Sequence, residues 1–121
     1  MKYFNPTSPH PDRAVQAWLI LVGMAKRRQT ATYEGLSLCM YGKEAPGVLD
    51  KILGHIVWFC IDNGLPRLTV IVVGKGRGTP GDDIPMGSLT LDEEREKVYE
   101  YDWYDIYPPT NLELQNAFNS H

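Results

Sequence analysis

APGVLDKILGHIVWFCIDNGLPRLTVIVVGKGRGTPG, residues 45–81, holds three signals in a row. Pro46 suits the first turn of a helix, where its missing N–H is not needed. Val48, Leu49, Ile52, Leu53, Ile56, Val57, Phe59 and Cys60 then give that helix a wide apolar face, and Asn63-Gly64 with Pro66 ends it. The next run, Leu68-Thr-Val-Ile-Val-Val73, is β-branched and bounded by Pro66 and Gly74, so it predicts a buried strand. GKGRGTPGDD, residues 74–83, predicts a turn-rich hairpin tip or wing.

Working outward, the N-terminal side adds two helices. The first eleven residues hold three prolines and read as an extended arm. Val15, Trp18, Leu19 and Val22 recur at helical spacing, predicting a helix over about 12–28 with Lys26, Arg27 and Arg28 in its last turn. Gln29-Thr30-Ala31 is a short connection with room for one β-bridge. Thr32 is a candidate N-cap for a helix over Tyr33–Tyr41, striped by Leu36, Cys39 and Met40 and closed by Gly42. On the C-terminal side, Thr90-Leu-Asp-Glu93 is a capping box opening a fourth helix to about Trp103. Thr110-Asn-Leu-Glu113 opens a short fifth helix. Helix, short β, helix, helix, strand and Gly-rich wing is the order of a winged helix-turn-helix, in which the third helix enters the major groove and the wing meets the backbone. The expected architecture is α+β: a winged-helix-like core over 12–85 with an acidic aromatic helical extension over 86–121, in a single domain of 121 residues.

Composition narrows the function classes. The chain is 43% hydrophobic and 22% charged, values of an ordinary globular domain. No apolar run approaches the ~18–20 residues of a membrane span. MKYFNPTSPHPDR at the start has no apolar h-region, so no signal peptide is expected. Cys39 and Cys60 each sit in an apolar helical context with no cation within three positions. They are expected to be buried, unbridged and inert, as in a cytoplasmic protein.

The net charge of −3 hides an asymmetry. Residues 1–80 carry ten cations against five anions, a net +5. Residues 81–121 carry Arg95 and Lys97 against ten carboxylates, a net −8. A basic face joined to an acidic segment is the pattern of a binding protein.

The segments TATYEGLSLCMYG (30–42), APGVLDKILGHI (45–56) and NGLPRLTVIVVGKGRGTPG (63–81) together resemble the DNA-binding domain of O6-alkylguanine-DNA alkyltransferases and their non-catalytic alkyltransferase-like relatives. Tyr33 and Leu36 fit the family's Thr-Tyr-Gly-Glu-Leu type opening of the second helix, with Glu34 and Gly35 transposed. Asn63, Leu65 and Pro66 match its Asn-x-Leu-Pro type segment. The family's Pro-Cys-His-Arg motif is replaced by Leu68-Thr69-Val70-Ile71, and no arginine opens the third helix at Pro46-Gly47-Val48-Leu49. The resemblance therefore implies DNA association without alkyl transfer, which needs an activated thiolate.

The remaining chemistry is sparse. Gly74, Gly76 and Gly78 follow a strand, but Thr79-Pro80-Gly81-Asp82-Asp83 opens no helix to receive a pyrophosphate, so a basic wing fits better than a nucleotide loop. Asp82 and Asp83 are two adjacent carboxylates, a weak cation signal. His10, His55 and His121 have no metal-ligand spacing, and His55 reads as a structural residue of the third helix. Asp92, Glu93, Glu94 and Glu96 suit a solvated helix start. No enzyme, metal or cofactor is expected.

Two readings follow. In the first, the chain is a non-enzymatic DNA-associated module touching phosphates through Lys26, Arg27, Arg28, Lys43, Lys51, Lys75 and Arg77. In the second, it binds a basic protein as an immunity protein or nuclease inhibitor would, in the manner of a nucleic-acid mimic. The surface is then Glu100, Tyr101, Asp102, Trp103, Tyr104, Asp105 and Tyr107.

Overall fold

A computed structural model of the chain describes residues 1–45, 47–74 and 90–121. Its elements are α1 (His10–Lys26), β1 (Ala31–Thr32), α2 (Tyr33–Tyr41), α3 (Leu49–Asp62), a 3-10 turn (Leu68–Ile71), β2 (Val72–Val73), α4 (Leu91–Glu100), a second 3-10 turn (Trp103–Asp105) and α5 (Asn111–Asn119). The fold is α+β and mainly helical. β1 and β2 form a two-stranded parallel sheet, with Ala31 opposite Val72 and Thr32 opposite Val73.

Helix ends follow local chemistry. Thr32 Oγ1 accepts the Gly35 N–H at 3.0 Å and Gly42 closes α2. Thr90 with Glu93 and Thr110 with Glu113 form complete capping boxes. α1 and α3 end in the same motif by different means. In each, a left-handed residue sends its N–H back three positions, and the next residue sends its own back five. At α3 the left-handed residue is Gly64, at φ 68°; at α1 it is Arg28, at φ 57°. The motif favours glycine, because a side chain strains this conformation.

The core lies between α1, α3, α5 and the first 3-10 turn. Trp18, Leu53, Ile56 and Val70 are at most 2% exposed, as three elements burying their apolar faces together require. The buried stripe of α1 is Ala14, Ala17, Trp18, Leu21, Val22 and Ala25. It is rotated from the expected one, so that Leu19 stands 60% exposed. α5 docks by stacking: Phe118 lies on His55 with centroids 4.2 Å apart, and His121 on Trp58 at 3.9 Å. His55 Nδ1–H donates to the Lys51 carbonyl at 2.6 Å. Burial lowers the pKa of this ring, so it sits in the core as a neutral structural group.

Five expectations are corrected. Leu68–Ile71 is a 3-10 turn, and only Val72–Val73 is strand. β1 is two residues long, so it cannot satisfy six residues of ladder; Val70 instead closes a local bond to the Arg67 carbonyl at 3.1 Å. α3 begins at Leu49, later than Pro46 suggested. α4 ends at Glu100, before Trp103; a turn then brings the Trp103 Nε1–H back to the Val98 carbonyl at 2.8 Å. Cys39 is exposed and Ser37 buried in its place, while Cys60 is buried. The C-terminal segment is also no appendage, because Val98, Trp103 and Leu114 belong to the core.

Candidate functional site

The candidate cations divide between the two ends of α1. Lys26, Arg27 and Arg28 are exposed at its C-terminal end. Lys43 follows α2, whose own end is held at the start of α1 by Arg13, which donates to the Met40 carbonyl at 2.7 Å. Seventeen helical residues span about 25 Å, so Lys43 stands well apart from the triplet. Lys51 is exposed in the first turn of α3. The wing residues Lys75 and Arg77 lie outside the described residues, as do Gly76, Gly78, Asp82 and Asp83. Gly74 leaves the sheet directly after Val73, the partner of Thr32.

The surroundings of Lys51 are acidic. Glu34, Glu44 and Asp50 line a hollow of about 200 Å³ with Tyr33 and Ser37. These carboxylates oppose the approach of a phosphate to the start of α3. The triplet at the end of α1 is the more favourable basic surface.

Within that triplet Arg28 already holds an oxyanion. Its Nη2 donates to both carboxylate oxygens of Glu96 on α4, and its guanidinium lies 5.1 Å from the Tyr99 ring centroid. The Glu96 hydrogen bond raises the Arg28 pKa further, against a smaller opposing effect of desolvation. Both side chains are about half exposed, 54% and 50%. Arg27 leans along α1: a Cβ at Gly23 would stand 3.8 Å from Arg27 Nη2 and 3.9 Å from the Tyr104 hydroxyl. Thus the two surfaces that looked separate in sequence are neighbours in space.

Two other cations serve the fold. Arg13 is 3% exposed. It binds Met40 O, Gln16 Oε1 and Asn5 O, with its guanidinium over Tyr41 at 4.2 Å and Phe4 at 5.1 Å. It pins the N-terminal arm to α1 and α2, a role for which sequence spacing holds no signal. Arg67 donates to Glu94 at 3.0 Å, and that carboxylate is buried.

The acidic aromatic surface also needs correction. Trp103 is 3% exposed and packs edge-on against Trp18 at 5.5 Å, so it is an internal anchor. Tyr101 is half-buried against Trp103 at 4.7 Å. Tyr104 and Tyr107 are 64% and 94% exposed, and Glu100, Asp102 and Asp105 are exposed with them.

No three His, Cys, Asp or Glu residues among those described gather as a metal site. No helix among them is long and apolar enough to cross a membrane. Comparison with protein-family models, curated proteins and solved structures finds no match.

Proposed function

We propose that the chain is a non-enzymatic DNA-associated module of winged-helix type, holding backbone phosphates chiefly at the C-terminal end of α1. Lys26 and Arg27 make the first contacts. Arg28 joins them when it exchanges Glu96 for a phosphate; Lys75 and Arg77, outside the described residues, are further candidate contacts. Lys43 and Lys51, at the other end of α1 among the carboxylates Glu34, Glu44 and Asp50, contribute least. The observation that carries this reading is Arg28 itself: its side chain receives a two-oxygen anion beside two further exposed cations. A phosphate offers the same acceptor geometry as a carboxylate. The order α1–β1–α2–α3–β2 supports the winged-helix assignment.

The test is a salt titration of the full chain against short duplex DNA. Each phosphate contact contributes about 0.9 to the slope of log K against log salt. Lys26→Ala with Arg27→Ala should therefore lower that slope by ~1–2 units, at similar cost for every sequence. Glu96→Gln, which frees Arg28, should raise affinity. Absence of binding at low salt by both wild type and Glu96→Gln would refute the proposal.

A second reading is favoured by the exposure of Tyr104 and Tyr107 among carboxylates. In it the chain binds a basic protein, as an immunity protein or nuclease inhibitor does. Glu100, Asp102 and Asp105 supply the charge and the two tyrosines the contact area.

A further inference from the structure

We infer that the acidic hollow at the start of α3 is a guanidinium site, filled by an arginine side chain of a partner protein. The inference goes beyond both readings. None of the lining residues belongs to either candidate surface, and the site stands whether or not the segment around Tyr104 meets a partner.

Three short segments build it. Tyr33, Glu34 and Ser37 come from α2, with Glu34 and Ser37 on one face at i and i+3. Glu44, Ala45 and Gly47 come from the connection, and Leu49 and Asp50 from the first turn of α3. The lining is graded from floor to mouth. Ser37 and Leu49 are each 3% exposed, Tyr33 and Glu34 are half-buried, and Glu44 and Asp50 are exposed.

Two of the inner polar groups lack partners among the described residues. Glu34 Oε2 is buried and accepts no hydrogen bond. The Ser37 hydroxyl makes none either, although Ser37 is buried against the hollow. Buried polar groups are nearly always paired, so both call for a donor. Lys43 and Lys51 are exposed and line none of the hollow, so neither supplies it.

The acceptors name the ligand. The carboxylates do not gather as a metal site, and an ammonium, like a metal ion, is a point charge best served by acceptors that converge. A guanidinium is planar and spreads five N–H donors over a rigid fork, so it suits acceptors set apart around a hollow. Tyr33 offers an aromatic wall of the kind on which a guanidinium stacks. Ala45 and Leu49 offer apolar contact to the methylene stem behind it. At about 200 Å³ the hollow is smaller than the ~300–1,000 Å³ of sites for whole small molecules, and suits the end of one side chain.

The test titrates the full chain, isotopically labelled and at low salt, with blocked Gly-Ser-X-Ser-Gly peptides in which X is arginine, lysine or citrulline, and with free arginine. The arginine peptide should shift the amide signals of Glu34, Ser37, Glu44 and Asp50. It should bind about tenfold more tightly than the citrulline peptide, which keeps the shape without the charge, and more tightly than the lysine peptide. Glu34→Gln should weaken the arginine peptide about tenfold, and Ser37→Ala about threefold. Neither change removes a hydrogen bond of the fold, so the melting temperature should stay nearly unchanged. Should Glu34→Gln unfold the chain, Ser37→Ala decides. Equal binding of the citrulline or lysine peptide, binding indifferent to both substitutions, or no binding would overturn the site. Binding of free arginine without the arginine peptide would overturn the partner side chain in favour of a small molecule. Shifts confined to Glu100, Asp102 and Asp105, and lost in Glu100→Gln rather than Glu34→Gln, would sink the hollow and leave the second reading standing.

Discussion

Glu94 and Glu96 stand two residues apart in one helix, and each meets an arginine of the N-terminal lobe. Glu94 is buried on Arg67, whose side chain is 24% exposed; Glu96 is half exposed on Arg28. The first pair has little water to fall back on. Among the described residues Arg67 Nε is itself buried without a partner, so Glu94 compensates a charge already committed to the interior. The second pair stands in solvent, where either member can exchange its partner for water, salt or another ion. The same helix therefore fastens the fold with one carboxylate and occupies an anion site with the next. Trp103 and Tyr104, adjacent in the chain, repeat the division, as do Cys60 and Cys39.

The largest effect is expected where α4 and its following turn are anchored. Trp103→Ala removes an indole packed on Trp18 and its hydrogen bond to Val98. It should cost about 3–5 kcal/mol in chemical denaturation. Tyr104→Ala, one residue on, should leave stability within about 0.5 kcal/mol. Equal losses would erase the division between inner and outer faces. Any loss of partner binding in the Trp103 variant then reports unfolding, so Tyr104 is the residue to test for contact.

Next in size is the buried pair. Glu94→Gln should destabilise by about 2–3 kcal/mol, below a fully buried pair because Arg67 keeps some contact with water. Glu96→Gln should leave the denaturation midpoint nearly unchanged. A Glu94→Gln variant as stable as wild type would show that the pair is dispensable to the fold.

Whether a given residue falls inside or outside was only partly legible in the sequence. α2 and the two capping boxes were legible because a threonine, an acceptor three residues later and a glycine act locally. The run 68–73 was misread because strand and 3-10 turn differ in where the backbone finds partners, and the two-residue β1 lies forty positions upstream. Trp103 was misread because an aromatic side chain suits core and interface equally until Trp18 stands opposite. Cys39 followed an apolar pattern on a nine-residue helix, too short for one residue of rotation to be excluded. Of the candidate site, the cations themselves were legible. Their division between the ends of α1, and the seating of Arg28 on Glu96, depend on tertiary approach and were not.

The cysteines sharpen the division by a different measurement. Cys39 should react rapidly with a thiol reagent under native conditions, one thiol per chain, and Cys60 only after unfolding. Burial pushes the Cys60 thiol from 9.0 to about 12. The unfolded chain then loses this proton first, so stability is intact below pH ~9 and declines between pH ~9 and ~12 by up to about 1.4 kcal/mol per pH unit. Cys60→Ala should flatten this contribution to the alkaline limb, whatever it costs in packing. Two thiols reacting natively would contradict the burial of Cys60.

The smallest effect carries the sharpest information about the exposed pair. Arg28 occupies a left-handed position that its counterpart Gly64 fills without strain, so Arg28→Gly relieves backbone strain while removing the contact with Glu96 and Tyr99. These contributions oppose each other, and salt separates them. In about 1 M NaCl, where the Debye length falls to about 3 Å, the ion pair is screened and the glycine variant should melt above wild type. In low salt the gap should narrow or close. Introducing Arg28→Gly into a Glu96→Gln background, and comparing it with Glu96→Gln alone, should remove most of that salt dependence, since neither chain then holds the ion pair. If Arg28→Gly instead melts well below wild type at both salt concentrations, the guanidinium is a fixed structural clamp. A phosphate could then displace Glu96 only at the expense of the fold.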